Sequence, residues 1–339
     1  MYEGGPNPIK VQISPAYKRA NPSPPLVLIH DGGGTTFGYF MLGNLYRDVW
    51  AIHNPHFFDG GAFAGGMDEM ARLYIGFMND AGIKGNILLG VFRQTNVSML
   101  FNGTGWSLGG YLSLAIARFL AEDSEAKIKV LGIVMMDTPY HSPYSLEEGP
   151  TDDPVIENIP EAVQKCFDRC DEMLENWEVP KWDRPACDGK YVFFGVDGRR
   201  YSVPPGKVLY KPFDGIWSPI EVPQYKLLEE SQPDKASLMT PPTVLLRCTE
   251  PMPLPEGRTE PFIIDKYRND RTLGWAGNTP EFIRAVVDVH SNHYEMFEKS
   301  HDTRIKDVTT RLNLALEILD SIGGSSKAAS GRKPTLDYF

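Results

Sequence analysis

The chain has 339 residues, 42% of them hydrophobic and 23% charged, a composition suited to one large core or two smaller ones. Its formal charge of −10 excludes a nucleic-acid or anionic-membrane surface as its working partner, because both would repel it. No apolar run reaches the ~20 residues that span a bilayer, so a membrane-spanning class is excluded too.

The N-terminal stretch "MYEGGPNPIKVQISPAYKRANPSPP" lacks the charged-then-apolar order of a signal peptide, and a cytoplasmic location is expected. On that reading the sequons "NVS" (96–98) and "NGT" (102–104) go unused. The four cysteines, Cys166, Cys170, Cys187 and Cys248, are too scattered for a disulfide framework. Cys166 and Cys170 lie four apart, but no matching His/Cys pair accompanies them, so no metal site is expected.

"PPLVLIHDGGG" (24–34) predicts a buried strand opening into a glycine loop, and "RDVWAIHNP" (47–55) a second strand stopped by Asn54 and Pro55. "MDEMARLYIGFMNDAG" (67–82) has apolar residues three and four apart and ends at a glycine, the pattern of an amphipathic helix. "VSMLFNG" (97–103) predicts a third strand, followed by a helix over "GYLSLAIARFLAED". "KVLGIVMMD" (129–137) is almost wholly apolar and predicts a strand buried on both faces. Such alternation implies a parallel sheet covered on both sides.

Between 138 and 240 the pattern breaks into prolines, an acidic helical stretch, "PEAVQKCFDRCDEMLENW", and a glycine-punctuated stretch with hairpin character, "GKYVFFGVDGRRYSVPPGKV". Alternation resumes with "TPPTVLLRCTE" (240–250) and "AVVDVH" (285–290), and closes with a helix over 302–322.

"GTGWSLGG" places Ser107 between Gly105 and Gly109, at the step from a predicted strand into a predicted helix. A nucleophile elbow needs that strand–turn–helix step, with small residues flanking the serine so that the sharp turn can form. A serine hydroxyl is a weak nucleophile at neutral pH, so it needs a base and an acid that orients the base. In this architecture the chain order is Ser, then Asp or Glu, then His. His293, in the polar loop of "VVDVHSNHYEMFEKS", is the candidate base; His290 and His301 flank it. Two acids compete, Asp137 at the end of one strand and Glu250 at the end of "TVLLRCTE". An oxyanion formed at the serine needs two backbone N–H donors. Leu108 follows the serine directly, and Gly32 or Gly33 of "HDGGG" lets an amide approach a substrate.

Four segments together resemble the thioesterase domains of polyketide synthases and non-ribosomal peptide synthetases, within the α/β-hydrolase fold. They are "LVLIHDGGGTTFGYFMLGNL", "GTGWSLGGYLSLAIARFL", "GIVMMDTPYHSP" and "LGWAGNTPEFIRAVVDVHSNHYEMFE". "TVLLRCTEPMP" with "LGW" is similar to fungal members. The resemblance implies a mostly parallel central sheet flanked by helices, with a core over 24–137 and 241–322. Around it are expected an N-terminal extension (1–23), a lid insertion (138–240) and a flexible C-terminal tail (323–339). It also favours Asp137 over Glu250 as the acid. The implied activity is release of an acyl chain, by hydrolysis or cyclisation, from the phosphopantetheine thioester of an acyl carrier protein, with no cofactor of the enzyme's own. Two features depart from the pattern: Ser291 stands where the family usually has glycine, and "GNILLGVFRQTN" extends the connection before the elbow. A carboxylesterase or lactonase acting on a free ester, and a non-catalytic ligand-binding homologue, are the competing expectations. Trp177, Trp182, Tyr191, Phe193, Phe194, Phe213 and Trp217 are expected either to wall an acyl site or to pack the insertion's own core.

Overall fold

The computed structural model describes residues 5–91, 108–146, 160–225, 237–296 and 302–328. In chain order these form β1 (Ile9–Gln12), β2 (Leu26–Ile29), β3 (Val49–Ile52), α1 (Gly66–Asp80), β4 (Gly85–Val91), α2 (Leu108–Glu122), β5 (Ile128–Met136) and α3 (Glu161–Leu174). There follow β6 (Val192–Val196), β7 (Arg199–Val203), β8 (Lys207–Lys211), β9 (Ser218–Glu221), β10 (Thr243–Cys248), β11 (Ile283–Val289) and α4 (Asp302–Ala328).

Nine strands make one sheet in the order β1-β3-β2-β4-β5-β10-β11-β8-β9, and β6 and β7 pair separately as an antiparallel hairpin. From β3 through β8 every pairing is parallel. The outermost pairs, β1/β3 and β8/β9, are antiparallel. The apolar composition of the inner strands accounts for this: "LVLI" of β2 is buried at all four positions, so it needs a layer on each face. Side chains alternate between faces along a strand. Val27 and Ile29 therefore join a core built with α1 and α2, while Leu26 and Leu28 join one built with α4. The result is an α/β-hydrolase fold, as expected.

Several elements depart from the sequence reading. The strand that lies between β2 and β5 is β4, over "GNILLGV", which was expected only to lengthen a connection. The expected strand at 97–103 lies outside the described residues. The segment 1–23, expected as an extension, supplies β1 to the sheet, because "IKVQ" pairs with the exposed side of β3. The segment 138–240, expected as a lid, places β8 and β9 on the far edge of the same sheet, since "KVLYK" offers buried Val208 and Leu209 beside β11. The C-terminal helix runs on to Ala328, past the expected start of the tail at 323.

Candidate active site

The parallel strands end on one edge of the sheet, where α/β proteins gather their reactive groups. Asp137 follows β5 directly, and its φ of 45° turns the chain sharply at the strand end, a backbone state that Asp tolerates better than most residues. His293 lies in the turn after β11. An Asx turn shapes it: Asn292 Oδ1 accepts from the N–H groups of Tyr294 at 2.9 Å and Glu295 at 3.0 Å.

Asp137 and His293 meet across the end of β10. His293 Nδ1 lies 2.8 Å from Asp137 Oδ2, and both side chains are fully buried. With the carboxylate as acceptor, Nδ1 carries the proton and the basic lone pair falls on Nε2. Asp137 also accepts from the Cys248 N–H at 2.8 Å and from both terminal nitrogens of Arg268, at 2.5 and 2.8 Å. Burial alone would raise the Asp137 pKa, but the Arg268 charge and the His293 hydrogen bond hold it well below the usual carboxylate range.

Glu250 takes a different partner. Its carboxylate is 3.3 Å from His290 Nδ1, in a half-exposed pair at the surface. Of the two acids open in the sequence, Asp137 therefore meets His293, whereas Glu250, just past the end of β10, meets His290, just past the end of the adjacent β11.

Ser107 lies outside the described residues; the next residue, Leu108, is buried and begins α2. The start of that helix is wedged among strand ends. A Cβ on Gly109 would come within 1.9 Å of Val91 Cγ2 and 2.8 Å of the His30 carbonyl, and one on Gly110 within 2.4 Å of Thr138 Oγ1. The ends of β2, β4 and β5 thus converge on the residues that follow the serine, and the glycines are what let them approach.

The "HDGGG" loop is braced from both sides. His30 Nδ1 donates to the Asp31 carbonyl at 2.5 Å, and its Nε2 accepts from Tyr74 of α1 at 2.5 Å. Burial lowers the His30 pKa to about 4, so the ring is neutral at physiological pH. Gly33 donates its N–H to Asp31 Oδ1 at 2.9 Å, whereas the Gly32 carbonyl accepts from the Cys170 thiol at 3.5 Å. Cys170 and Cys166 belong to α3, which packs Val163, Phe167 and Cys166 onto Gly33 and Gly34. Burial pushes the Cys166 thiol up to about 12 and also raises that of Cys170 well above the ordinary thiol range, so both behave as packing groups. Among the described residues no group of three or more His, Cys, Asp or Glu could hold a metal ion. No described helix is long and apolar enough to cross a membrane.

The insertion's aromatics form no single wall. Trp177 stacks on His141, and Trp182 joins the α1/α2 core, while Phe194 and Trp217 join the α4 core on the opposite face. Tyr191 and Phe193 are exposed, and Phe213 packs on His290. Sequence reasoning missed Arg268, because "IIDKYRND" carries no periodicity to mark a buried guanidinium.

No family model matches the chain. It is similar to a probable thioesterase of Curvularia clavata, 38% identical over 315 residues that make up 93% of this chain and 96% of that protein. A probable thioesterase of Purpureocillium lilacinum is 37% identical, over 93% of this chain and 97% of its own length. Among solved structures, a four-domain non-ribosomal peptide synthetase bound to AMP and glycine matches 90% of this chain and 20% of its own, with a TM-score of 0.50 and 16% identity. At that identity the likeness is one of fold.

Proposed function

The chain belongs to the family of these fungal thioesterases; we propose that it is a serine hydrolase that releases an acyl chain from the phosphopantetheine thioester of an acyl carrier protein. The observation that carries this reading is the buried Asp137–His293 pair, 2.8 Å apart at the sheet edge where α2 begins.

In the proposed reaction Ser107 Oγ bonds to the acyl carbon while His293 Nε2 takes the hydroxyl proton. The N–H groups of Leu108 and Gly32 receive the oxyanion; Gly33 is the weaker candidate, because its N–H is engaged by Asp31. Asp137 holds the imidazole orientation and stabilises the imidazolium. Collapse of the intermediate breaks the C–S bond, and the departing pantetheine sulfur takes the proton from His293. Water, or a hydroxyl or amine of the same acyl chain, then attacks the acyl-serine carbonyl while His293 accepts its proton; the acyl–Oγ bond breaks and His293 returns the proton to Ser107 Oγ, which restores the enzyme.

Turnover of an acyl-N-acetylcysteamine thioester against the oxygen ester of the same acid tests the substrate class. The proposal expects the thioester to be preferred. Preference for the oxygen ester favours the carboxylesterase alternative, and failure of both with no Ser107 adduct favours a binding protein.

A further inference from the structure

The mechanism above gives Arg268 no task, yet it is the most heavily bonded cation at the site. It follows the short helical turn Ile263–Asp265 and is nearly fully buried. Its Nη1 donates to Asp137 Oδ1 at 2.5 Å and to the Cys248 carbonyl at 3.0 Å; its Nη2 donates to Asp137 Oδ2 at 2.8 Å. Its Nε donates to Asp265 Oδ1 at 2.8 Å, and Asp265 Oδ2 in turn accepts the Met252 N–H at 2.7 Å. Asp137 Oδ2 is therefore shared between a guanidinium and the imidazole that it is to orient.

A planar two-point contact fixes the plane of a carboxylate as well as its position. It also sets a full positive charge next to the group that must stabilise a second positive charge on His293. A nearby cation disfavours the imidazolium, just as the Asp137 carboxylate favours it. Asp265 opposes the cation from its other side. Among the described residues the Cys248 thiol, which burial keeps protonated, and Tyr294, whose ring stands edge-on to the imidazole at 5.1 Å, also face the pair. His290 and Glu250 face each other further along the edge.

We propose that Arg268 is a positioning residue of this site, clamping the plane of the Asp137 carboxylate and, balanced by Asp265, restraining the basicity of His293. The inference rests on the reading of Ser107, Asp137 and His293 as the working set. Its functional consequence is a base that stays unprotonated to lower pH than an Asp–His pair without the clamp.

The test is the pH dependence of Ser107 phosphonylation by a fluorophosphonate, which needs no knowledge of the acyl chain. Arg268→Gln removes the cation and is expected to move the acid limb of the rate profile to higher pH by about one unit, with a slower plateau. Arg268→Lys keeps the charge but not the fork, and should hold the limb while losing plateau rate. Asp265→Asn leaves Arg268 in place, removes the opposing charge, and is expected to move the limb the other way. That opposite shift remains measurable if Arg268→Gln does not fold. Acid limbs of Arg268→Gln and Asp265→Asn that both coincide with the unmodified protein's, or of the one that folds, would overturn the role of Arg268, provided Asp137→Asn has lost labelling. Undiminished labelling in Asp137→Asn would instead overturn the underlying reading, and this inference with it.

Discussion

Val91, the last residue of β4, touches Gly109 in the first turn of α2, yet sixteen residues (92–107) separate it from Leu108. Three would suffice for a strand–turn–helix elbow. Deleting residues 92–104 joins "GNILLGV" directly to "GWSLGG" and keeps Ser107. Chain-closure entropy by itself, 1.5RT ln n, favours three residues over sixteen by about 1.5 kcal/mol. In a chain of this size that corresponds to a rise in Tm of about 2 °C. Thermal unfolding followed by circular dichroism, with urea titration for the free energy, measures it. The shortened chain is expected to fold with the same helix content, a Tm equal to or above that of the full chain, and fluorophosphonate labelling of Ser107 at least as fast. A loss of about 2 kcal/mol or more, or aggregation on expression, would refute the reasoning by showing that 92–104 contribute packing that the joint needs.

Other consequences follow from the same geometry. Asp137→Ala should lower turnover by roughly 10⁴-fold while Glu250→Ala leaves it near normal, measured as kcat on a thioester substrate; the reverse order would move the acid to Glu250. His30 is buried neutral, with its pKa lowered from 6.5 to about 4, so the unfolded chain binds the extra proton between those values. Its contribution is complete above about pH 6.5 and fades as pH falls towards 4, a loss on the order of 3 kcal/mol. Urea unfolding across that range should show a slope that is shallower by about 1.4 kcal/mol per pH unit in His30→Asn. Gly109→Ala should destabilise by about 2 kcal/mol or more, because its Cβ meets Val91 and the His30 carbonyl. Gly76→Ala, in α1 with open space around it, should stabilise by about 0.8 kcal/mol. Urea midpoints of the two variants, at constant m, check the pair.

Where a segment's burial is uniform, the sequence was enough to place it. "LVLI" and "GIVMM" announce strands covered on both faces, and the spacing of Met67, Met70, Ala71, Tyr74 and Met78 announces the buried stripe of α1. The acidic stretch became α3 and the glycine-punctuated one the β6/β7 hairpin for the same local reasons. β4 is hard to read from sequence because it opens on Gly85 and Asn86 and because a second apolar run, "VSMLF", lies closer to Ser107. Only the sheet order shows that β4 fills the place between β2 and β5. Edge strands were hard to read for a different reason. β1 and β9 are half-exposed and short, so their pattern does not separate them from loop. The pairing of Asp137 with His293 joins residues far apart in sequence, and the sequence left Glu250 open beside it. Arg268 gave no signal at all, since a buried guanidinium is defined by the carboxylates around it.

The most direct test of the account is a fluorophosphonate adduct mapped by peptide mass spectrometry, in the full chain and in the chain lacking 92–104. Modification of Ser107 in both, lost in His293→Ala, is the result the account predicts. Modification of a different residue, or of none in either chain, would contradict it.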